Sequence, residues 1–178
     1  ALELSSFQLE RATGLHPQWA VLLNIQPDHA DMHTSPEAYR AAKLRVFEQM
    51  VVGDSAMLPI DAEWEELAAK LIERGIKLSR FGVMAAEDEK SSLLKAGVLC
   101  SADNGNQDDK LFWTQAGQRK MINCNDLMVR GYHQQQNIAV AAQAAADFGV
   151  SAAVIEEAML SFQGLEHRLE FVEIGRAH

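Results

Sequence analysis

Residues 19–50 read WAVLLNIQPDHADMHTSPEAYRAAKLRVFEQM, and the way they divide decides the fold. Trp19–Ile25 is a continuous apolar run with turn residues after it, the pattern of a strand covered on both faces. Ser35 is a good N-cap and Pro36 suits the first helical position, so a helix is expected from there to about Met50. The same alternation then repeats. SAMLPI (55–60) reads as a strand, AEWEELAAKLIERG (62–75) as a helix ended by Gly75, and RFGVM (80–84) as another strand. ALELS, residues 1–5, looks like one more strand of this kind cut short, with Glu3 near its carboxyl end. Strands alternating with helices predict an α/β fold with a mostly parallel sheet flanked by helices.

From about residue 96 the pattern changes. AGVLCS (96–101), KLFWTQ (110–115) and QRKMINCN (118–125) are short and separated by polar turns, which predicts a small antiparallel portion. Helical sequence returns in GYHQQQNIAVAAQAAADFG (131–149), with Ile138, Ala141, Ala142, Ala145 and Phe148 on one stripe and Gly149 as the stop. SAAVIEEAMLSFQG (151–164) is the last predicted helix.

With 178 residues, 48% of them hydrophobic, the chain can bury a core, and no apolar run approaches the roughly 20 residues of a membrane span. Cys100 and Cys124 lack metal or redox spacing and read as reduced, packed thiols, which suggests a cytoplasmic protein. A net charge of −9 argues against a nucleic-acid surface, though not against nucleotides, which are held by backbone N–H groups, metal ions and one or two cations.

In a parallel sheet, ligands gather at the carboxyl ends of the strands. Glu3 is expected at one such end, either as a solvated strand end or as a ligand. Asp28, His29, Asp31 and His33 crowd oxygen and imidazole donors into the loop after the second strand. If these strands are neighbours, Glu3 and His29 meet at one sheet edge, where Mg²⁺ could sit. A rival reading makes Asp28, His29, Asp31 and His33 the transition-metal site of a hydrolase. Lys43 shares a stripe with Tyr39, Val46, Phe47 and Met50, and it either snorkels or is partly desolvated. A desolvated amine can add CO₂ to become a carbamate, turning a cation into a carboxylate-like metal ligand. His133, Gln134 and Asn137 open a helix where amides could grip a polar ligand, and Arg168 follows a turn at Gly164.

LELSSFQLE (2–10), LNIQPDHADMH (23–33), YRAAKLRVF (39–47), GYHQQQN (131–137) and GLEHRLEFV (164–172) in this order resemble the central domain of the Mur ligases, ATP-dependent amide-forming enzymes of bacterial peptidoglycan synthesis. ELSSFQL is similar to the branch that adds D-glutamate, whereas the branch adding a diamino acid carries Ser-Ser-His where this chain has Ser5-Ser6-Phe7. The resemblance implies a P-loop NTPase-like central domain over residues 1–172. It implies Glu3 and His29 as Mg²⁺ ligands, Lys43 as a carbamylated lysine, and catalytic roles for Lys43 and His29. Ser5 and Gln8 would contact the substrate UDP-N-acetylmuramoyl-L-alanine, while Gln134, Asn137, His167 and Arg168 would face ATP; D-glutamate is the implied second substrate. Gln134 departs from the Asn usual at its position, lengthening the arm that carries the amide.

No G-K-[ST] phosphate loop occurs in the chain. The expectation is therefore an interior fragment, without the P-loop and without the N- and C-terminal domains, and inactive alone. EIGRAH (173–178) is what a common sequencing adapter encodes in frame, and is expected to be a non-native tail.

Overall fold

A computed structural model describes residues 1–25, 33–84, 99–101 and 110–164. It divides into two compact units, Ala1–Gly82 and Val83–His178. The expected tail lies outside the described residues.

In the first unit, α1 (Ser6–Arg11) precedes β1 (Trp19–Val21), α2 (Pro36–Leu44), β2 (Ser55–Pro59), α3 (Glu65–Glu73) and β3 (Lys77–Met84). The strands are parallel, with Trp19 beside Ser55 and Ser55 beside Lys77, as the alternating pattern predicts. Ala56, Met57 and Leu58 are all fully buried, because a central parallel strand has no solvent face. Ala20, Leu22, Phe47, Met50, Trp64 and Leu71 pack with Ala56 and Leu58 as the core.

The helix signals were legible. Ser35 accepts from the Ala38 N–H at 3.2 Å and Pro36 opens α2. The helix is shorter than its pattern, since Arg45–Phe47 tighten into a 3₁₀ turn that aims Phe47 and Met50 into the core. Gly75 ends α3 at φ 76°, with its N–H donating to Ile72 and the Ile76 N–H to Leu71, a left-handed cap that a side chain would strain.

One expectation fails. Ala1–Ser5 are not a strand, and neither parallel ladder of this unit includes them. Ser5 instead caps α1: its Oγ accepts from the Gln8 N–H at 3.3 Å, and Gln8 Oε1 accepts from the Ser5 N–H at 2.8 Å. This reciprocal pairing satisfies two helix-end donors and turns the chain into a helix where ALELS looked like a strand cut short. Glu3 therefore lies ahead of a helix, not at a strand end.

In the second unit, β4 (Leu99–Ser101), β5 (Lys110–Gln115) and β6 (Gln118–Asn123) are antiparallel, as expected, and α4 (Tyr132–Asp147) and α5 (Ala152–Ser161) follow. Gly149, at φ 82°, ends α4 in the same manner as Gly75 ends α3. The buried face of α4 differs from its expected stripe. Ile138, Ala139, Val140, Ala142 and Gln143 are buried, Ala141 is exposed, and Phe148 is 68% exposed. A helix this rich in alanine has no single apolar stripe, so a polar contact chooses the face. Gln143 accepts from the Thr114 N–H at 2.9 Å and donates to the Thr114 carbonyl at 3.0 Å, which turns its side of α4 toward β5.

Candidate functional site

The first unit holds a cleft of about 570 Å³. Glu3–Gln8 form one wall, and Tyr39 and Lys43 on α2 form the other. Four residues singled out in the sequence, Glu3, Ser5, Gln8 and Lys43, thus line one cavity. They share it because α1 and α2 pack together. Arg45, just past α2, donates to the Glu10 carbonyl of α1 at 2.6 Å, one of the orphan acceptors of a helix end.

Donor chemistry in the cleft is mixed. Glu3 is exposed, and Lys43 is half-buried with Nζ 5.9 Å from the Tyr39 ring centroid, at the outer limit of a cation–π contact. Among the described residues, neither charged group has an ion-pair partner. Ser5 and Gln8 are partly committed: the Ser5 oxygen and the Gln8 Oε1 serve the capping box. The Ser5 hydroxyl hydrogen and the Gln8 NH₂ remain as donors, suited to the oxygens of an anionic or carbonyl-bearing ligand.

His33 sits behind this wall. Its Nε2 lies 2.8 Å from the Ser6 Oγ and its Nδ1 3.4 Å from Glu10 Oε1. The ring stacks on Phe7 at 4.8 Å and tilts against Tyr39 at 5.3 Å, leaving the side chain 4% exposed. Sequence reading weighed His33 only as a metal ligand, but both of its ring nitrogens face protein partners. Two signals pointed here: the Ser-x-x-Gln capping box at Ser5–Gln8, and the i, i+4 spacing that puts Ser6 and Glu10 on one face of α1.

The Mg²⁺ of the sequence reading needs several oxygen ligands. Glu3 supplies one carboxylate, and Lys43 on the facing wall would supply a second anionic group only as a carbamate. The donor set fits a hard cation on that condition. His29, Asp28 and Asp31 lie outside the described residues, and no group of three or more His, Cys, Asp or Glu arranged for a metal occurs among the described ones.

Gln134 and Asn137 stand on the first turns of α4 in the second unit. They line the end of a separate groove of about 470 Å³ that is otherwise apolar, with Ile138, Ala141, Val154 and Phe162 among its walls. His167 and Arg168 lie outside the described residues. No helix among the described residues is long and apolar enough to cross a membrane.

Residues 1–145 match the Mur ligase middle domain. The chain is 36% identical over 172 residues to the UDP-N-acetylmuramoylalanine--D-glutamate ligase of Desulfitobacterium hafniense, covering 96% of this chain and 34% of that protein. It is 36% identical over 176 residues to the ligase of the same name from Acidobacterium capsulatum, covering 98% of this chain and 35% of that protein. The chain thus spans about a third of the length of these curated relatives. Among solved structures, MurF from Acinetobacter baumannii superposes with a TM-score of 0.62 at 20% identity, covering 89% of this chain and 32% of that one. A mutant of L. casei FPGS gives 0.56 at 16% identity, covering 89% of this chain and 37% of that one. These last two likenesses speak for the fold. The family is fixed by the match over residues 1–145: the chain belongs to the Mur ligase middle-domain family.

Proposed function

We propose that this chain is the central segment of a cytoplasmic bacterial ligase that joins D-glutamate to UDP-N-acetylmuramoyl-L-alanine at the expense of ATP. The observation that carries the reading is the shared cleft of Glu3, Ser5, Gln8 and Lys43. The names of the relatives, at 36% identity, supply the substrates.

The chemistry asks for activation, because a carboxylate has a poor leaving group. The terminal phosphoryl of ATP passes to the L-alanyl carboxylate, giving an acyl phosphate and ADP. The neutral amine of D-glutamate attacks that carbonyl, and phosphate leaves as the amide forms and a proton is released. Ser5 and Gln8, through the two donors left by the capping box, would orient the UDP-sugar. Glu3 and His29, with Lys43 as its carbamate, would hold Mg²⁺, which when bound neutralises charge building between two anions. Gln134, Asn137, His167 and Arg168 would bind ATP. Residues 1–172 form the native segment in this reading, and 173–178 a non-native tail.

The test is ADP release by a full-length enzyme carrying this segment. Release should require both UDP-N-acetylmuramoyl-L-alanine and D-glutamate, and the 178-residue chain alone should give none. Release supported by a diamino acid and not by D-glutamate overturns the substrate assignment. The carbamate is checked separately: ¹³C-bicarbonate should give a carbamate resonance that disappears in Lys43→Arg.

A further inference from the structure

We infer that His33 is a positioning residue that sets the width of the cleft by locking α1 to the start of α2. The inference rests on the reading of that cleft as a metal and lysine site, and it adds a residue that reading does not use. His33 precedes Ser35, the N-cap of α2, and its ring reaches across to α1. There it meets three consecutive kinds of contact: the Ser6 Oγ at 2.8 Å, the Phe7 face at 4.8 Å and the Glu10 carboxylate at 3.4 Å. Tyr39, one turn into α2, closes the other side at 5.3 Å.

Three of these four partners, Ser6, Phe7 and Tyr39, also line the cleft. His33 therefore touches the wall from behind while Glu3, Ser5, Gln8 and Lys43 look into the cavity. Alpha-helical α1 is only 6 residues long, too short to hold its own place by helix propensity. Its position depends on what it is tied to: Leu9 is buried, and its polar ties among the described residues include the Arg45 bond at its carboxyl end and His33 along its face. Ser6 and the His33 side chain are both buried, so their hydrogen bond is shielded from competing water. A ring of the same shape without nitrogens would keep the stack and lose the registration.

The test uses the full 178-residue chain, with His33→Phe to preserve the stack, His33→Ala as the harsher change, and Ser6→Ala to remove the partner oxygen. Circular dichroism selects variants that remain folded; His33→Phe is the working variant if His33→Ala does not. Two readouts follow, Mn²⁺ affinity by electron paramagnetic resonance and the rate of Lys43 acetylation by acetic anhydride, read by peptide mass spectrometry. In His33→Phe, Mn²⁺ affinity should fall by roughly 10–100-fold, the usual cost of losing a group that orients a metal ligand. Lys43 acetylation should accelerate by about fivefold, the factor one lost hydrogen bond of ordinary strength carries. Ser6→Ala should move both in the same direction.

If wild type binds Mn²⁺ and folded His33→Phe binds it equally well, the inference is overturned. If wild type binds no Mn²⁺, the metal reading of the cleft fails by itself, and Lys43 acetylation then decides. Acceleration in both His33→Phe and Ser6→Ala sustains His33 as the lock; an unchanged rate rejects it.

Discussion

The two units each carry a cavity, and the cavities are opposites. The cleft of the first is walled by a carboxylate, an amine, a hydroxyl and an amide, drawn from a helix cap and a neighbouring helix. The groove of the second is walled by alanines and aliphatic side chains of α4 and α5, with Gln134 and Asn137 at one end. The first has the groups to move protons and hold charge, while the second has the apolar area and few polar contacts typical of a site that only binds. In the first unit the polar groups stand in the cavity; in the second, the buried amide of Gln143 is turned away from it and spent on β5.

The largest expected effect tests that division directly. In a full-length ligase carrying this segment, Lys43→Ala should lower kcat by roughly 10²–10³-fold, the scale of removing one group that stabilises developing charge. Asn137→Ala should mainly raise the KM for ATP, by about tenfold, as expected of a residue that binds ground and transition states alike. Steady-state kinetics of the two variants settles it. A kcat loss of the same size in Asn137→Ala would break the contrast between a chemical cleft and a binding groove.

Next in size is the contact that turns α4. Gln143→Leu keeps the volume but leaves the Thr114 N–H without its side-chain acceptor and the Thr114 carbonyl without its side-chain donor. Unfolding in urea should show a loss of about 1–3 kcal/mol for such buried groups. An unchanged midpoint would mean that packing, not this amide, selects the buried face of α4. Smaller again is Ser35→Ala at the cap of α2, with an expected loss of about 1 kcal/mol by the same measurement.

These two contacts also mark where the sequence was readable. Ser35, Pro36, Gly75 and Gly149 announce their helix ends because a cap is a local event: one side-chain oxygen, one missing N–H or one left-handed residue suffices. The strands at Trp19, Ser55 and Arg80 were readable for a related reason, since burial on both faces needs an apolar run, although the third begins three residues earlier than read, at Lys77. Ala1–Ser5 misled because the apolar start of ALELS looks like a strand cut short, while the deciding signal, Ser5 with Gln8, lies at its far end. The stripe of α4 misled because six alanines between residues 139 and 146 dilute any periodicity. Its side actually faces two ways, and Ile138, Ala141, Ala142 and Ala145 line the groove. Within the cleft, spacing could place Lys43 on the side of α2 shared with Tyr39. It could not show that His33 would be consumed by Ser6 and Glu10, because that pairing joins residues 27 and 23 positions apart. Long-range side-chain contacts leave no period.

The smallest effect is read in acid. Among the described residues, the carboxylates held below their ordinary range are Glu37, Asp54 and Glu66, in the first unit. Of these, Asp54 ties together the most structure. Its Oδ2 accepts from the Val51 N–H at 2.7 Å, the main cause of the depression, and lies 2.7 Å from His16 Nε2, which adds a hydrogen bond and a charge. Its backbone carbonyl receives the Lys77 N–H at 2.8 Å, so the turn feeding β2 and the start of β3 meet at this residue. A carboxylate whose pKa is lowered on folding stabilises the fold above its unfolded pKa, and that stabilisation drains away as pH falls through the lower folded value. Asp54→Asn keeps the shape and removes the charge. Its melting temperature should therefore lie below wild type at neutral pH, and the gap should close as pH drops below about 4, the ordinary aspartate value. Amide exchange at Ala56–Leu58 in β2 should quicken in the variant at neutral pH and match wild type in acid. A melting gap that stays constant across this range would show that Asp54 acts through the geometry of its turn, and that its charge contributes nothing.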